Sequence, residues 1–221
     1  MSETLRYIAI EGPIGVGKTS LARLLGDERH ARVLLEDIEE NPFLSRFYGD
    51  RHRFAFQTQV AFLLGRYQQQ RTIQQQDLFK PGGVVSDYLL IKDRIFAALN
   101  LEDDELRLYD RLWTVLHPRA PKPDLVVLLM AGVEVLLDRI ALRDRAYERE
   151  FDRAYLAEVV ARYARYFDDE FFRDYEDVPL LIVETHEADL LGDALQRERL
   201  WAAIEEHRQG VRTFDPLGSG Q

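Results

Sequence analysis

The chain has no cysteine. That excludes disulfides, thiolate metal sites and thiol catalysis together. The five histidines show no metal-ligand spacing. No apolar run approaches the roughly 20 residues needed to span a bilayer, and the first residues lack the basic-then-apolar layout of a signal peptide. The expected compartment is therefore the cytoplasm, with no membrane partner. Positive charge is also scarce: 29 lysines and arginines against 39 acidic residues leave a net charge of −10. A nucleic-acid polymer is not expected as a partner, because binding one leans on cations that neutralise phosphates. A small anionic ligand needs only a local positive pocket inside a negative shell.

What is present is an ordinary globular chain, 46% hydrophobic and 31% charged over 221 residues. That length suits one well-buried core and a single domain, taken as residues 1–208, with 209–221 read as a flexible tail. No internal repeat is visible.

The organising stretch is Gly12-Pro13-Ile14-Gly15-Val16-Gly17-Lys18-Thr19-Ser20, placed directly after the apolar run Tyr7–Ile10. It fits Gly-x-x-x-x-Gly-Lys-[Ser/Thr] between a strand and a helix, the pattern of a phosphate-binding loop. Glycines let the backbone curl with its N–H groups inward, forming a nest for phosphate oxygens at a helix N-terminus. Lys18 is then expected on the β- and γ-phosphates and Thr19 on a magnesium ion. The ligand read from this stretch is a nucleoside triphosphate.

Further strands are expected at 33–35, 84–86, 124–130 and 180–183. The run DLVVLLM at Asp124–Met130 is the clearest, its unbroken apolar character implying burial on both faces of a parallel sheet. Helices are expected at 18–25, ending at Gly26, and from Asn41-Pro42 to Tyr48. Others are expected at 53–76, 88–98, 103–116, 133–142, 152–175 and 189–207. Strands alternating with helices give an α/β fold with a parallel five-stranded sheet flanked by helices. The helix at 53–76 carries apolar residues on more than one face, which predicts cover by another helix or a second subunit. Its glutamine-rich end reads as a solvated polar face.

Ligands of such sheets gather beyond the carboxyl ends of the strands. Glu36 and Asp87 fall there: one can hold magnesium and the other accept a proton from an attacking hydroxyl. Arg139, Arg143 and Arg145 form a third group at a helix end, where planar guanidinium groups would stabilise the charge spread over a transferring phosphoryl. The bland alternatives are a turn cap for each acid and a solvated arginine face paired with Asp138, Asp144 and Glu148.

Taken together, GPIGVGKTS, Glu36 with ENPF after it, FAFQTQ, Asp93-Arg94, PDLVVLL and Leu142–Arg145 (LRDR) resemble the deoxynucleoside kinases, above all their bacterial deoxyadenosine/deoxyguanosine branch. The resemblance spans about residues 5–185. It implies a P-loop kinase fold with an arginine-rich lid at about 142–150, ATP and magnesium as cofactors, a deoxynucleoside as substrate, and a homodimer. It implies that Glu36 deprotonates the sugar 5′-hydroxyl, Tyr48 and Glu148 hold the 3′-hydroxyl, and Gln57 reads the base. Asp93 belongs to base recognition, Phe96 lies near a stacking aromatic, and the lid arginines match Arg139, Arg143 and Arg145. Asp87 stays as the metal-side acid beside Thr19.

Two departures stand out. Asp87-Tyr88-Leu89 replaces Glu-Arg-Ser, so the arginine near the 5′-hydroxyl is absent. Counted from Gln57, the position of a base-contacting arginine is Leu64, with Arg66 two residues later. The expected activity is ATP-dependent 5′-phosphorylation of a deoxynucleoside, a purine favoured. A thymidylate-kinase-like nucleoside monophosphate kinase is the rival within the class. A nucleotide-binding subunit without turnover is the rival outside it.

Overall fold

The computed structural model describes residues 5–73, 81–143 and 152–218. Six parallel strands form one sheet: β1 Tyr7–Glu11, β2 Arg32–Leu34, β3 Val84–Ser86, β4 Leu125–Met130, β5 Leu180–Glu184 and β6 Val211–Phe214. Their order is β2-β3-β1-β4-β5-β6. Every residue of β1 is buried, as is β4 up to Leu129, because both central strands are covered on two faces. Alternation within β1 assigns the two layers. Tyr7 and Ala9 face a core with Leu63, Ile95, Tyr109 and Tyr163, whereas Ile8 and Ile10 face one with Leu21, Leu136 and Leu200.

The described helices are α1 Lys18–Arg29, α2 Leu44–Gly49, α3 Arg51–Arg71, α4 Ile91–Asn100, α5 Asp103–Leu116, α6 Val133–Arg143, α7 Arg153–Asp169, α8 Phe171–Asp174 and α9 Ala194–Glu206. One layer holds α3, α4, α5 and α7, and the other α1, α6 and α9. None of the described helices is long and apolar enough to cross a membrane.

Three expectations are corrected. The sheet has six strands, because part of the supposed tail forms β6 on the β5 edge, with Leu180 opposite Val211 and Val183 opposite Phe214. Gly210 turns the chain at φ 68°, and the buried His207 Nε2 lies 3.1 Å from Leu180 O and 3.2 Å from Gly210 O, fastening the turn. Helix α1 does not stop at Gly26 but runs on to Arg29. The glycine is there for close approach, since a Cβ would lie 2.2 Å from Val33 Cγ2 on β2. The expected single helix over 152–175 breaks at Glu170 into α7 and α8.

The parallel register aligns the strands' carboxyl ends, with Ala9 opposite both Ser86 and Val126. Glu11 ends β1, Asp87 follows β3 and Glu36 lies two residues past β2, so three carboxylates emerge along one edge of the sheet.

Candidate active site

Between β1 and α1 the chain turns through Gly12 (φ 145°), Gly15 (φ 85°) and Gly17 (φ 105°), a half of conformational space that side-chain-bearing residues rarely occupy. At Gly12 a Cβ would also stand 2.3 Å from Leu129 O. Lys18 folds back over this loop, Nζ donating to Gly12 O at 2.7 Å and Pro13 O at 2.9 Å. Its ammonium thus spans the mouth of the amide nest. Burial, and then the nearby Lys92, lower its pKa to about 8 against the pull of Glu11, Glu36 and Asp87.

Thr19, the first hydroxyl after the lysine, donates from Oγ1 to Asp87 Oδ2 at 2.5 Å. Asp87 Oδ1 accepts from Glu36 N at 2.6 Å, tying the β2 and β3 ends together. Among the described residues no group of three or more His, Cys, Asp or Glu side chains is placed to hold a metal. A hydroxyl and one carboxylate nevertheless fit magnesium, which keeps several waters and takes phosphate oxygens in place of an all-protein cage.

Glu36 is the centre of the far wall. Its side chain is only 5% exposed. Oε1 accepts from Arg66 Nε at 2.7 Å and also from Arg66 Nη2, while Oε2 accepts from Lys92 Nζ at 2.5 Å. Burial pushes this carboxyl up, but Arg66 and Lys92 together outweigh it and hold Glu36 well below the ordinary carboxylate range. It is charged whenever the site is empty. Arg66 turns its Nη1 to Asp93, which is fully buried on α4. There burial wins over Arg66, and with Glu36 adding repulsion the Asp93 carboxyl rises to about 7.

These groups share a cavity of about 670 Å³, within the usual range for small-molecule sites. Ile14 to Ser20, Arg139 and Arg143 line one end, with the loop from Thr185 to Leu191. Glu36, Tyr48, Gln59, Arg66, Lys92 and Phe96 line the other. Arg139, on α6, donates to Thr185 O at 2.6 Å, Thr185 Oγ1 at 3.1 Å and Val16 O at 3.3 Å, linking the phosphate loop to the loop after β5.

Most residues expected in a site from the sequence are thus brought together: the phosphate loop, Glu36, Tyr48, Asp87, Phe96, Arg139 and Arg143. Arg145 and Glu148 lie outside the described residues. Gln57 does not line the cavity; it points to solvent. The amide in the wall is Gln59, 2% exposed, its Oε1 buried without a hydrogen-bond partner. With the register moved by two, the arginine seven positions on is Arg66 and not the exposed Leu64. Asp93 sits behind Arg66 rather than on the cavity surface. The glutamine-rich end of α3 is also not wholly a solvated face, since Gln70 is fully buried. Lys92 and Glu11 were missed outright. Glu11 Oε1 accepts from Gly12 N at 2.8 Å and Tyr163 Oη at 3.1 Å, and Oε2 from Leu89 N at 2.8 Å, so it braces the start of the phosphate loop.

A phosphate loop facing a charged carboxylate across one cavity is the arrangement of a phosphoryl-transfer site, and comparison with known proteins agrees. Residues 8–209 match the family model for deoxynucleoside kinases. The chain belongs to the deoxynucleoside kinase family. The deoxyguanosine kinase of Bacillus subtilis (strain 168) is 32% identical over 203 residues, which cover 92% of this chain and 98% of the relative. The deoxyadenosine/deoxycytidine kinase of the same organism is 30% identical over 194 residues, 84% of this chain and 85% of the relative. A solved structure of deoxyadenosine kinase from M. mycoides, with products dCMP and a flexible dCDP bound, superposes with a TM-score of 0.72. It is 20% identical and covers 90% of this chain and 97% of that one, a likeness of fold. This deoxynucleoside kinase is therefore a phosphotransferase that takes its phosphoryl group from a donor nucleotide.

Proposed function

We propose that this kinase transfers the γ-phosphoryl of ATP to the 5′-hydroxyl of a purine deoxynucleoside, with Glu36 as the group that takes the hydroxyl proton. The observation that carries the reading is Glu36 itself: a buried, ionised carboxylate, open to the cavity, across from Lys18. A monophosphate acceptor brings its own anionic oxygen and has no need of a proton acceptor there, whereas the hydroxyl of a neutral nucleoside does. A strongly held carboxylate is a weak base. A loose transition state asks little of it, because the hydroxyl becomes acidic only as its oxygen bonds to phosphorus.

In this reading the loop amides and Lys18 hold the triphosphate, and Arg139 and Arg143 face its transferring end. Thr19 and Asp87 would hold magnesium, whose charge would neutralise the donor's phosphate oxygens. Tyr48 serves the sugar, Phe96 stacks on the base and Gln59 pairs with its edge. Support for a purine comes from the two relatives above, one named for deoxyguanosine and the other for deoxyadenosine together with deoxycytidine, so that a purine is common to both names. An unpaired Gln59 Oε1 beside its own amide donors also suits a base edge with one donor and one acceptor. We assign the chain to the cytoplasm, where ATP is abundant. We also assign it a homodimeric state, which would cover the exposed apolar residues Leu64 on α3 and Leu108 and Val115 on α5. Sedimentation of a monomer at micromolar protein would overturn the latter.

The deciding experiment incubates the protein with ATP, with and without magnesium, and each of the four deoxynucleosides and their monophosphates. Purine deoxynucleoside 5′-monophosphates are expected, and none after chelation. Products from pyrimidines only, or from monophosphates only, would overturn the reading.

The register of α3 is tested alongside. Gln59→Ala should lower kcat/KM for the preferred nucleoside by about five- to 150-fold, the worth of a paired amide contact of about 1–3 kcal/mol. Gln57→Ala, on the solvent side of the helix, should leave it unchanged. Equal losses in both variants would show that neither amide reads the base.

A further inference from the structure

We infer that Lys92 is a catalytic residue: once Glu36 has taken the acceptor's proton, the Lys92 ammonium is released to the oxygens of the transferring phosphoryl group. The inference rests on the kinase reading above. Lys92 stands in the first turn of α4, its side chain 7% exposed yet lining the cavity. Its Nζ lies 2.5 Å from Glu36 Oε2 and within electrostatic reach of Lys18. It therefore sits where the acceptor carboxylate and the donor's phosphates meet.

Counting lone pairs assigns the atoms. Glu36 Oε1 already accepts two bonds, from Arg66 Nε and Nη2. Oε2 accepts from Lys92 and keeps a lone pair for the hydroxyl, because a carboxylate oxygen takes about two donors. In the transfer the 5′-hydroxyl O–H bond breaks and its proton moves to Oε2. The hydroxyl oxygen bonds to the γ-phosphorus, the bond from that phosphorus to the β–γ bridging oxygen breaks, and its electron pair leaves with the diphosphate. Protonation cancels the charge on Glu36, and the two cations respond differently. Arg66 keeps a second carboxylate, Asp93. Lys92 loses its partner at the moment when negative charge is spread over the phosphoryl oxygens beside it. Glu11, also within its reach, is already taken up by the amides of Gly12 and Leu89 and the hydroxyl of Tyr163. Tyr88, four residues earlier and ahead of the helix, cannot supply this charge. It is neutral and fully buried, with its hydroxyl donating to Arg66 O at 3.4 Å.

The test compares wild type, Lys92→Met, Lys92→Gln and Lys92→Arg in steady-state kinetics with ATP, magnesium and the preferred deoxynucleoside, and records Tm for each. With a folded protein, Lys92→Met or Lys92→Gln should lower kcat by about 100- to 1,000-fold, the usual cost of losing one preorganised group aimed at developing charge. KM for the nucleoside should change by less than about threefold, as expected of an interaction made only in the transition state. Lys92→Arg, which keeps the charge, should recover at least about tenfold of the loss. A folded neutral variant with kcat within about threefold of wild type would overturn the role, as would a loss carried wholly by KM. Should neither neutral variant fold, a folded Lys92→Arg as slow as the chelated enzyme would overturn it, and substantial turnover would support it. A wild type that phosphorylates no deoxynucleoside is a different outcome, which removes the kinase reading itself.

Discussion

Replacing Glu36 with Gln should lower kcat by about 100- to 10,000-fold, the range that a positioned proton acceptor contributes. The amide keeps the length and hydrogen-bonding reach of the carboxylate but cannot accept the 5′-hydroxyl proton. Nucleoside affinity should change far less, because Gln59, Phe96 and Tyr48 remain in the wall and the triphosphate is held by Lys18 and its loop. Stability should fall modestly. Arg66 keeps Asp93, and the amide oxygen still accepts a bond, but Lys92 is left without its carboxylate. A loss of about 1–2 kcal/mol corresponds to a Tm lower by about 2–8 °C in a chain of this size. Measuring kcat, nucleoside affinity and Tm on this one variant separates the two roles. A folded protein with unimpaired kcat would take Glu36 out of the mechanism and leave it as a strut between α3 and α4.

How far the sequence alone leads depends on whether a signal is local. The phosphate loop is legible because its chemistry is written within nine consecutive residues, and Glu36 and Asp87 because short apolar strands deliver them to a known edge. The phase of α3 is not legible. A phase is read from one apolar stripe, yet its buried positions include Thr58, Gln59, Arg66 and Gln70, while the apolar Leu64 is exposed. Burial of polar side chains there is repaid by ion pairs with residues 30 positions earlier and 27 later, which no spacing rule contains. Gln57 and Gln59 flank the same threonine, and only the fold tells them apart. A usable signal did exist: Gln59 and Arg66 are seven apart, two turns of one face, with the aromatic Phe62 between them. Lys92 hides differently. After Leu89-Leu90-Ile91 it looks like a solvated lysine at a helix start, and only the approach of Glu36 from β2 makes it part of a site. The sixth strand was missed because Val211–Phe214 is four residues of largely exposed edge, too short to show alternation.

Replacing Arg66 with Met should be among the most destabilising single changes in the molecule. Arg66 is 5% exposed, and its guanidinium lies between Glu36 and the fully buried Asp93. Methionine fills much of the volume, so the cost is chiefly electrostatic: Glu36 keeps Lys92, but Asp93 loses the one cation that pairs with it among the described residues. Breaking a buried pair by removing one partner costs about 3–5 kcal/mol, which predicts a Tm lower by about 6–20 °C at neutral pH. The pH dependence gives the test its sign. In the wild type the depressed Glu36 contributes stability above its ordinary value, and this is lost as pH falls through the folded value. Asp93 behaves oppositely, since a carboxyl raised to about 7 gives up stability as pH rises from its ordinary value towards 7. Without Arg66 the Asp93 carboxyl titrates higher still, so the variant goes on losing stability above about pH 7, where the wild type levels off. The gap between the two proteins should therefore stay nearly constant from pH 5 to about pH 6 and widen from there to pH 8, and adding Asp93→Asn to the variant should close part of it at pH 8. Thermal unfolding of wild type, Arg66→Met and the double variant across that range reads the result. A gap that does not change with pH, or a double variant no more stable than the single, would show that Arg66 matters for its packing and not for the charges on either side of it.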